Sequence, residues 1–463
     1  MTSLPPQPLS PLDGRYRAAV GGLGEHLSEA GLNRARVHVE VEWLIAQTDR
    51  GFFGSSPLSA EQKAQLRSVV TEFGQADIDE LASLEATTRH DVKAVEYFVR
   101  RRLELLGRDE IAELTHFACT SEDINNLSYA ITVRDAVRSV WLPKLRGVID
   151  AIAAMAVEHR DAAMLSRTHG QPATPTTMGK ELAVFAHRLG RIATQIEATE
   201  YLGKFSGATG TFSAHVVAAP DVAWPDVSRE FVESLGLAWN PLTTQIESHD
   251  WQAELYGRVS HANRVLHNLA TDIWTYISLG YFRQIPAAGA TGSSTMPHKV
   301  NPIRFENAEA NLEISSALLD TLGATLVTSR LQRDLTDSTT QRNIGVALGH
   351  SLLAVDNVRR GLAGLDVDAA AMARDLDDSW EVLGEAVQSA MRAASVAGAE
   401  GMADPYERLK ELTRGRQVDA EGMRGLIAGL GLPDDVAQRL LALTPATYTG
   451  LATTLVDHLD DAG

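Results

Sequence analysis

The feature that most constrains this chain is a long apolar stripe. Leu255, Val259, Ala262, Leu266, Leu269, Ile273 and Ile277 recur at steps of three and four residues. One face of an α-helix repeats at that spacing, as the seam of a helical bundle does. A second stripe, Val133, Val137, Val140, Leu145, Val148, Ile149, Ile152 and Ala156, lies between Tyr129 and Arg160. At ~1.5 Å per residue that stretch reaches roughly 48 Å as a helix, long for a globular protein. Pro143 interrupts it and predicts a kink. Residues 32–47, 305–326 and 344–362 carry further helical patterns, as do Val92, Val95, Val99, Leu103 and Leu106. Helices this long rarely bury enough surface alone, so pairing with other subunits is expected.

Length and charge narrow the class. A chain of 463 residues is too long for one compact core, which predicts two or three domains. Aromatic residues make up only 6%, and the abundance of Ala and Leu favours helix over strand. The net charge of −18 repels nucleic acid and anionic membranes, so neither is expected as a partner. A small anionic substrate remains compatible if basic residues gather in one cleft. The single cysteine, Cys119, excludes an intramolecular disulfide and a cysteine metal cage. The opening residues lack a signal-peptide pattern and no apolar run is long enough for a bilayer, which predicts a cytoplasmic protein.

The breaks between the helical stretches carry the chemistry. Residues 286–302, PAAGATGSSTMPHKVNP, are too rich in Gly, Ser, Thr and Pro for regular structure. Gly292 frees the backbone to approach a ligand, while Ser293, Ser294, Lys299 and Asn301 offer hydroxyls, a charge and an amide. A flexible linker has the same composition. His169 stands in a second polar turn, Ser166-Arg167-Thr168-His169-Gly170-Gln171-Pro172, and a histidine suits a general acid near neutrality. Arg89-His90-Asp91 opens a predicted helix, and Thr120-Ser121-Glu122-Asp123 is rich in capping residues. Arg15-Tyr16 and the pair Arg333 and Arg342, flanking a polar stretch, are further anion-binding candidates.

The string from Gly292 to Pro302 meets every fixed position of GSSxMPxKxNP, and so resembles the signature loop of the fumarase/aspartase superfamily. Within that superfamily His169-Gly170-Gln171-Pro172 is similar to the proton-donor loop of adenylosuccinate lyases, where fumarases and argininosuccinate lyases usually carry Leu-Gln. The run Tyr406-Glu407-Arg408-Leu409-Lys410 resembles their bacterial long-form branch. The resemblance implies an all-α, three-domain subunit. Its divisions would be a helical domain over 1–111, a central long-helix bundle over 112–364 and a small helical domain over 365–463. The bundle would form the core of a homotetramer whose active sites each draw on three subunits. It further implies β-elimination of fumarate from adenylosuccinate, giving AMP, and from succinylaminoimidazole carboxamide ribotide in purine biosynthesis.

By the same resemblance Ser293 is the general base, His169 the general acid and Glu306 its orienting partner. Lys299 and Asn301 would hold the carboxylate next to the carbon that loses its proton. Substrate binding would fall to Arg15, Tyr16, Arg89, His90, Asp91, Thr120, Ser121, Gln245, Ser294, Val300, Asn307, Arg333, Ser338, Thr339, Thr340, Gln341 and Arg342. No metal or organic cofactor is expected. Two rivals are a lyase for another succinylated amine, such as argininosuccinate, and a helical scaffold that has lost its chemistry. Gly170-Gln171 argues against the first, and the presence of His169, Ser293 and Lys299 against the second.

Overall fold

A computed structural model describes residues 7–285, 296, 299–402, 404–413 and 418–462. Helices carry the fold. Among them are α1 (Glu29–Asp49), α2 (Gln75–Thr88), α3 (Asp91–Leu105), α4 (Ser121–Ala136), α5 (Leu142–Glu158), α6 (Met178–Glu197), α7 (Asp250–Ser278), α8 (Ile303–Leu326), α9 (Thr336–Gln341) and α10 (Ile344–Leu362). The strands among the described residues form three two-stranded pieces. They are β1 (Ala163–Thr168) antiparallel to β2 (Gln171–Thr177), β3 (Leu202–Gly203) parallel to β4 (Ala238–Trp239), and β5 (Phe282–Gln284) antiparallel to β6 (Leu365–Val367). No described helix is long and apolar enough to cross a membrane.

The chain divides into two compact units. The first comprises Met1–Leu145, Ile192–Arg264 and Ala310–Asp356; the second comprises Arg146–Arg191, Val265–Glu309 and Asn357–Gly463. In the first unit α1 begins where Ser28 Oγ accepts the Gly31 N–H at 3.1 Å. Val37, Val41, Leu44 and Ile45 of α1 then meet Val95, Phe98, Val99 and Leu103 of α3 in one apolar cluster. Leu103 is completely buried there, and truncating such a residue to alanine typically costs ~2–5 kcal/mol. The second unit has a core of its own near the C-terminus, built from Trp380, Leu383, Val387, Met391, Met423, Ile427 and Leu440.

The stripe on α7 is buried over most of its length: Leu255, Val259, Ala262, Leu266, Leu269 and Ile273 are each 1% exposed or less, and the last residue, Ile277, is half-buried. The expected kink takes a different form. Val137–Trp141, between α4 and α5, winds as a π-helical turn. Pro143 has no N–H and its ring presses on the carbonyl four residues back, so a widened turn here relieves the clash while the chain stays helical. Within the first unit, Trp141 is completely buried and donates its indole N–H to Ser351 Oγ at 2.8 Å. Ser351 donates to Asn263 Oδ1 at 2.7 Å, Asn263 to Ser315 Oγ at 2.9 Å, and Ser315 to the Ala347 carbonyl at 2.8 Å. This chain satisfies polar groups inside the bundle and pins the register of α7, α8 and α10.

Candidate active site

In the first unit five separate segments wall a cleft of about 580 Å³, lined among the described residues by Arg36, Arg89, Arg333 and Arg342 against two carboxylates, Glu85 and Asp91. A strongly acidic chain thus presents a locally cationic hollow. Arg89 ends α2 in the left-handed region, at φ 53°, with its N–H on the Glu85 carbonyl at 2.7 Å. The reversal places His90 as the N-cap of α3, where Nδ1 accepts the Lys93 N–H at 3.2 Å. The ring proton therefore belongs to Nε2, which lies 3.5 Å from Ser121 Oγ. Asp91 Oδ2 sits 2.8 Å from Arg36 Nη2 and 3.6 Å from Arg342 Nη2. Burial works against its ionisation, but the Arg36 guanidinium, the Val92 N–H and Arg342 together outweigh it and hold the carboxyl below its usual value.

Thr120 and Ser121 are set by the start of α4. The Thr120 N–H reaches Asp123 Oδ2 at 2.8 Å, and Asp123 Oδ1 also accepts the Ser206 N–H at 2.8 Å. Lys204 Nζ lies 2.9 Å from the same oxygen and donates to the Gly207 carbonyl at 2.8 Å, with both charged side chains fully buried. Opposite, Gln245 Oε1 accepts from Arg333 Nη1 at 3.2 Å, while Gln245 Nε2 donates to the Ala208 carbonyl at 2.8 Å. Arg333 Nη2 reaches Ser338 Oγ at 3.3 Å, and Arg342 Nε donates to Glu29 Oε1 at 3.0 Å. Thr339 completes the lining.

Not every expected binder joins this cleft. Thr340 donates to the Thr336 carbonyl at 2.8 Å, and Gln341 is buried, accepting from Gln252 Nε2 at 3.3 Å. Arg15 stacks 5.8 Å over the ring of Tyr16, which caps the helix Arg17–Leu27. Neither of these two is among the cleft's lining residues. Conversely, Arg36 was not anticipated, and Asn125 only as a member of the capping-rich run that begins at Thr120. Arg36 is 2% exposed and donates to Asn125 Oδ1 at 2.9 Å and Asn33 Oδ1 at 2.8 Å. An arginine inside the apolar pattern of α1 was the available signal, since a buried charge demands partners.

In the second unit His169 occupies the tip of a β-hairpin. Thr168 pairs directly with Gln171, leaving His169 (φ 55°) and Gly170 (φ 75°) as a two-residue turn with both φ positive. That is the primed hairpin turn, which favours glycine at its second position. His169 is exposed there. Arg167 anchors the strand below it, with Nη2 on Asp375 Oδ2 at 2.7 Å and Nη1 on the Tyr281 hydroxyl at 3.0 Å. Glu306, in the first turn of α8, accepts from Trp274 Nε1 at 3.2 Å, and among the described residues no hydrogen bond joins it to His169. Asn307 Oδ1 accepts from Asn357 Nδ2 at 2.9 Å, and the Val300 carbonyl from Gln284 Nε2 at 2.8 Å. Lys299 is exposed and Asn301 half-buried; Ser293 and Ser294 lie outside the described residues.

Comparison with known proteins supplies what the geometry of one chain does not. A family model described as lyase matches residues 27–313, and one described as adenylosuccinate lyase C-terminal matches residues 329–449. The adenylosuccinate lyase of Escherichia coli (strain K12) is 48% identical over 97% of this chain and 98% of its own length. That of Vibrio cholerae (strain ATCC 39541 / Classical Ogawa 395 / O395) is 47% identical, with the same coverage of each. Among solved structures, a fumarate lyase from Mesorhizobium sp. BNC1 superposes with a TM-score of 0.75 at 22% identity, over 95% of this chain and 97% of that one. A 3-carboxy-cis,cis-muconate lactonizing enzyme from Pseudomonas putida gives 0.73 at 21% identity, over 96% and 98%. Those two establish the all-α, multi-domain fold; the full-length sequence relatives go further, and the chain belongs to the adenylosuccinate lyases.

Proposed function

We propose that this enzyme cleaves adenylosuccinate to AMP and fumarate, and succinylaminoimidazole carboxamide ribotide to its carboxamide ribotide, by one β-elimination. Ser293 removes the proton from the carbon beside a carboxylate. The electron pair rests first on that carboxylate, then returns to form the carbon–carbon double bond of fumarate as the carbon–nitrogen bond breaks and His169 protonates the departing nitrogen. Lys299 and Asn301 bind the carboxylate that carries two negative charges in the intermediate, where preorganised donors contribute ~3–4 kcal/mol each. The cleft of the first unit takes the nucleotide, with Arg333 and Ser338 gripping the phosphate and Arg342 beside them.

One observation carries this reading: Arg89 and His90, Thr120 and Ser121, Gln245, and Arg333 with Ser338 and Arg342 come from four distant stretches and line one cationic cleft. Glu306 is engaged by Trp274 within its own chain, which fits a His169–Glu306 pair formed between subunits. On this reading the enzyme is a cytoplasmic homotetramer with sites shared among three subunits, and needs no cofactor. On the same reading the chain has three domains divided at about 111 and 364, the separate core at 380–440 belonging to the last of them. The test is release of fumarate and AMP from adenylosuccinate by the purified protein, with argininosuccinate in parallel. Equal amounts of both products, and none from argininosuccinate, are expected; fumarate from argininosuccinate alone would overturn the substrate assignment.

A further inference from the structure

Behind the Arg333–Ser338 edge of the cleft lies a group of charges that the elimination does not use. Glu122 is 2% exposed, His249 1% and Asp337 7%, and they come from three distant stretches of the first unit. One titratable atom of each lies within 4.8 Å of the others. Among the described residues, Glu122 Oε1, His249 Nε2, Asp337 Oδ2 and the neighbouring Arg333 Nε have no hydrogen-bond partner. Unpaired buried polar groups are rare because each costs its full desolvation penalty, so four together call for an explanation.

Their contacts supply one. Arg333 Nη1 lies 3.4 Å from Glu122 Oε2, and Ser338 donates to Asp337 Oδ1 through its N–H at 2.6 Å and its hydroxyl at 3.3 Å. His249 Nε2 stands 3.6 Å from Asp337 Oδ2, and the His249 N–H is held by Glu247 Oε2 at 2.8 Å. Each cleft-facing donor thus has a buried carboxylate at its back. The three side chains are also the ligand types of a divalent ion. The Arg333 guanidinium, however, already supplies the positive charge at Glu122, and two cations in so dry a place repel strongly.

We propose that Glu122, His249 and Asp337 are positioning residues that hold Arg333 and Ser338 in the geometry that grips the substrate phosphate. The inference rests on reading Arg333 and Ser338 as the phosphate clamp. Fixing a long guanidinium before the ligand arrives removes its ordering cost from the binding step. Burial pushes the Glu122 carboxyl up to about 7, with Arg333 and His249 pulling it back, so its grip on Arg333 strengthens as pH rises past that value. Burial also opposes ionisation of Asp337, but the His249 contact and Arg333 outweigh it and keep that carboxyl below its usual value.

The test compares AMP with adenosine, which lacks the phosphate, as competing inhibitors of the full enzyme at pH 8, where Glu122 is ionised. Glu122→Gln and Asp337→Asn should each weaken AMP about tenfold and leave adenosine within about twofold. KM for adenylosuccinate should rise while kcat stays within about threefold. If Arg333→Ala leaves the AMP-to-adenosine ratio unchanged, the clamp reading itself fails. If Arg333→Ala collapses that ratio while both other variants keep it, the positioning role is overturned and the clamp stands. A lower kcat with unchanged KM and unchanged ratio also overturns it, since that marks lost folded enzyme rather than a misplaced donor. Should Glu122→Gln fail to fold, Asp337→Asn decides alone.

Discussion

The cleft of the first unit and the hairpin of the second make opposite use of polar side chains. At the cleft polar side chains are tied down, Asp91 to Arg36 and Arg333 to Gln245 and Ser338, with the fully buried Asp123–Lys204 pair setting Thr120. His169, by contrast, stands exposed on a two-residue turn, with its strand anchored one layer below by Arg167. A binding surface gains from preorganisation, because fixed donors cost nothing to order when the nucleotide arrives. If His169 acts as the proposed proton donor in a site shared with another subunit, it needs reach and accessibility instead. The lesson is that dense wiring marks where the ligand is held, and a projecting tip marks what is offered elsewhere.

The largest expected effect breaks the comparison at its catalytic end. His169→Ala should lower fumarate release by about 10²–10⁴-fold, and Ser293→Ala likewise, with the melting temperature unchanged for the exposed histidine. Turnover like that of the wild type would remove the residue from the mechanism. Next is the wiring: Lys204→Met strands the Asp123 carboxylate in a fully buried place and should destabilise by about 3–5 kcal/mol in urea unfolding. A loss below about 1 kcal/mol would mean that the backbone donors at Asp123 suffice without the lysine.

Two smaller effects sharpen the contrast. Gly170→Ala puts a Cβ on a residue at φ 75° with open space around it, so the cost is backbone strain alone, about 1 kcal/mol. Turnover should fall with it, because the strain acts on the turn that aims His169. The smallest is a pH effect at His116, whose Nδ1 lies 2.6 Å from Glu40 Oε1. Burial pulls this imidazole down, but the hydrogen bond and charge of Glu40 outweigh it and raise its pKa above the usual value. The pair's contribution is therefore fully present below pH 6.5 and fades as pH rises through the raised pKa. Thermal melts of wild type and His116→Gln should converge by about 1 kcal/mol over that interval. A constant gap at all pH values would contradict the assignment.

Much of this enzyme was legible before any coordinates. Apolar spacing determined α1, α3, α7, α8 and α10, because burial of one face is decided by local periodicity. The helix opening at Arg89–Asp91 was read in place, while the Thr120 stretch, read as a capping-rich turn, proved to start α4, its capping chemistry being local. The signature loop and the His169 turn identified the family through strings that carry their own chemistry. The hairpin around His169 was missed, since Ala163–Thr168 shows no clean alternation of apolar and polar residues and its pairing depends on β2 across the turn.

What only the tertiary structure decided is where charges find one another. Arg36 meets Asn125 across 89 residues, Asp123 meets Lys204 across 81, and Glu122, His249 and Asp337 come from three distant stretches. A lone buried charge is forbidden by its desolvation cost, so such residues make sense only with their partners in place. No local pattern records which partner that is. The sequence by itself determined the helical class, the family and the chemistry on offer; folding decided which arginines share one cleft and which buried carboxylates stand behind them.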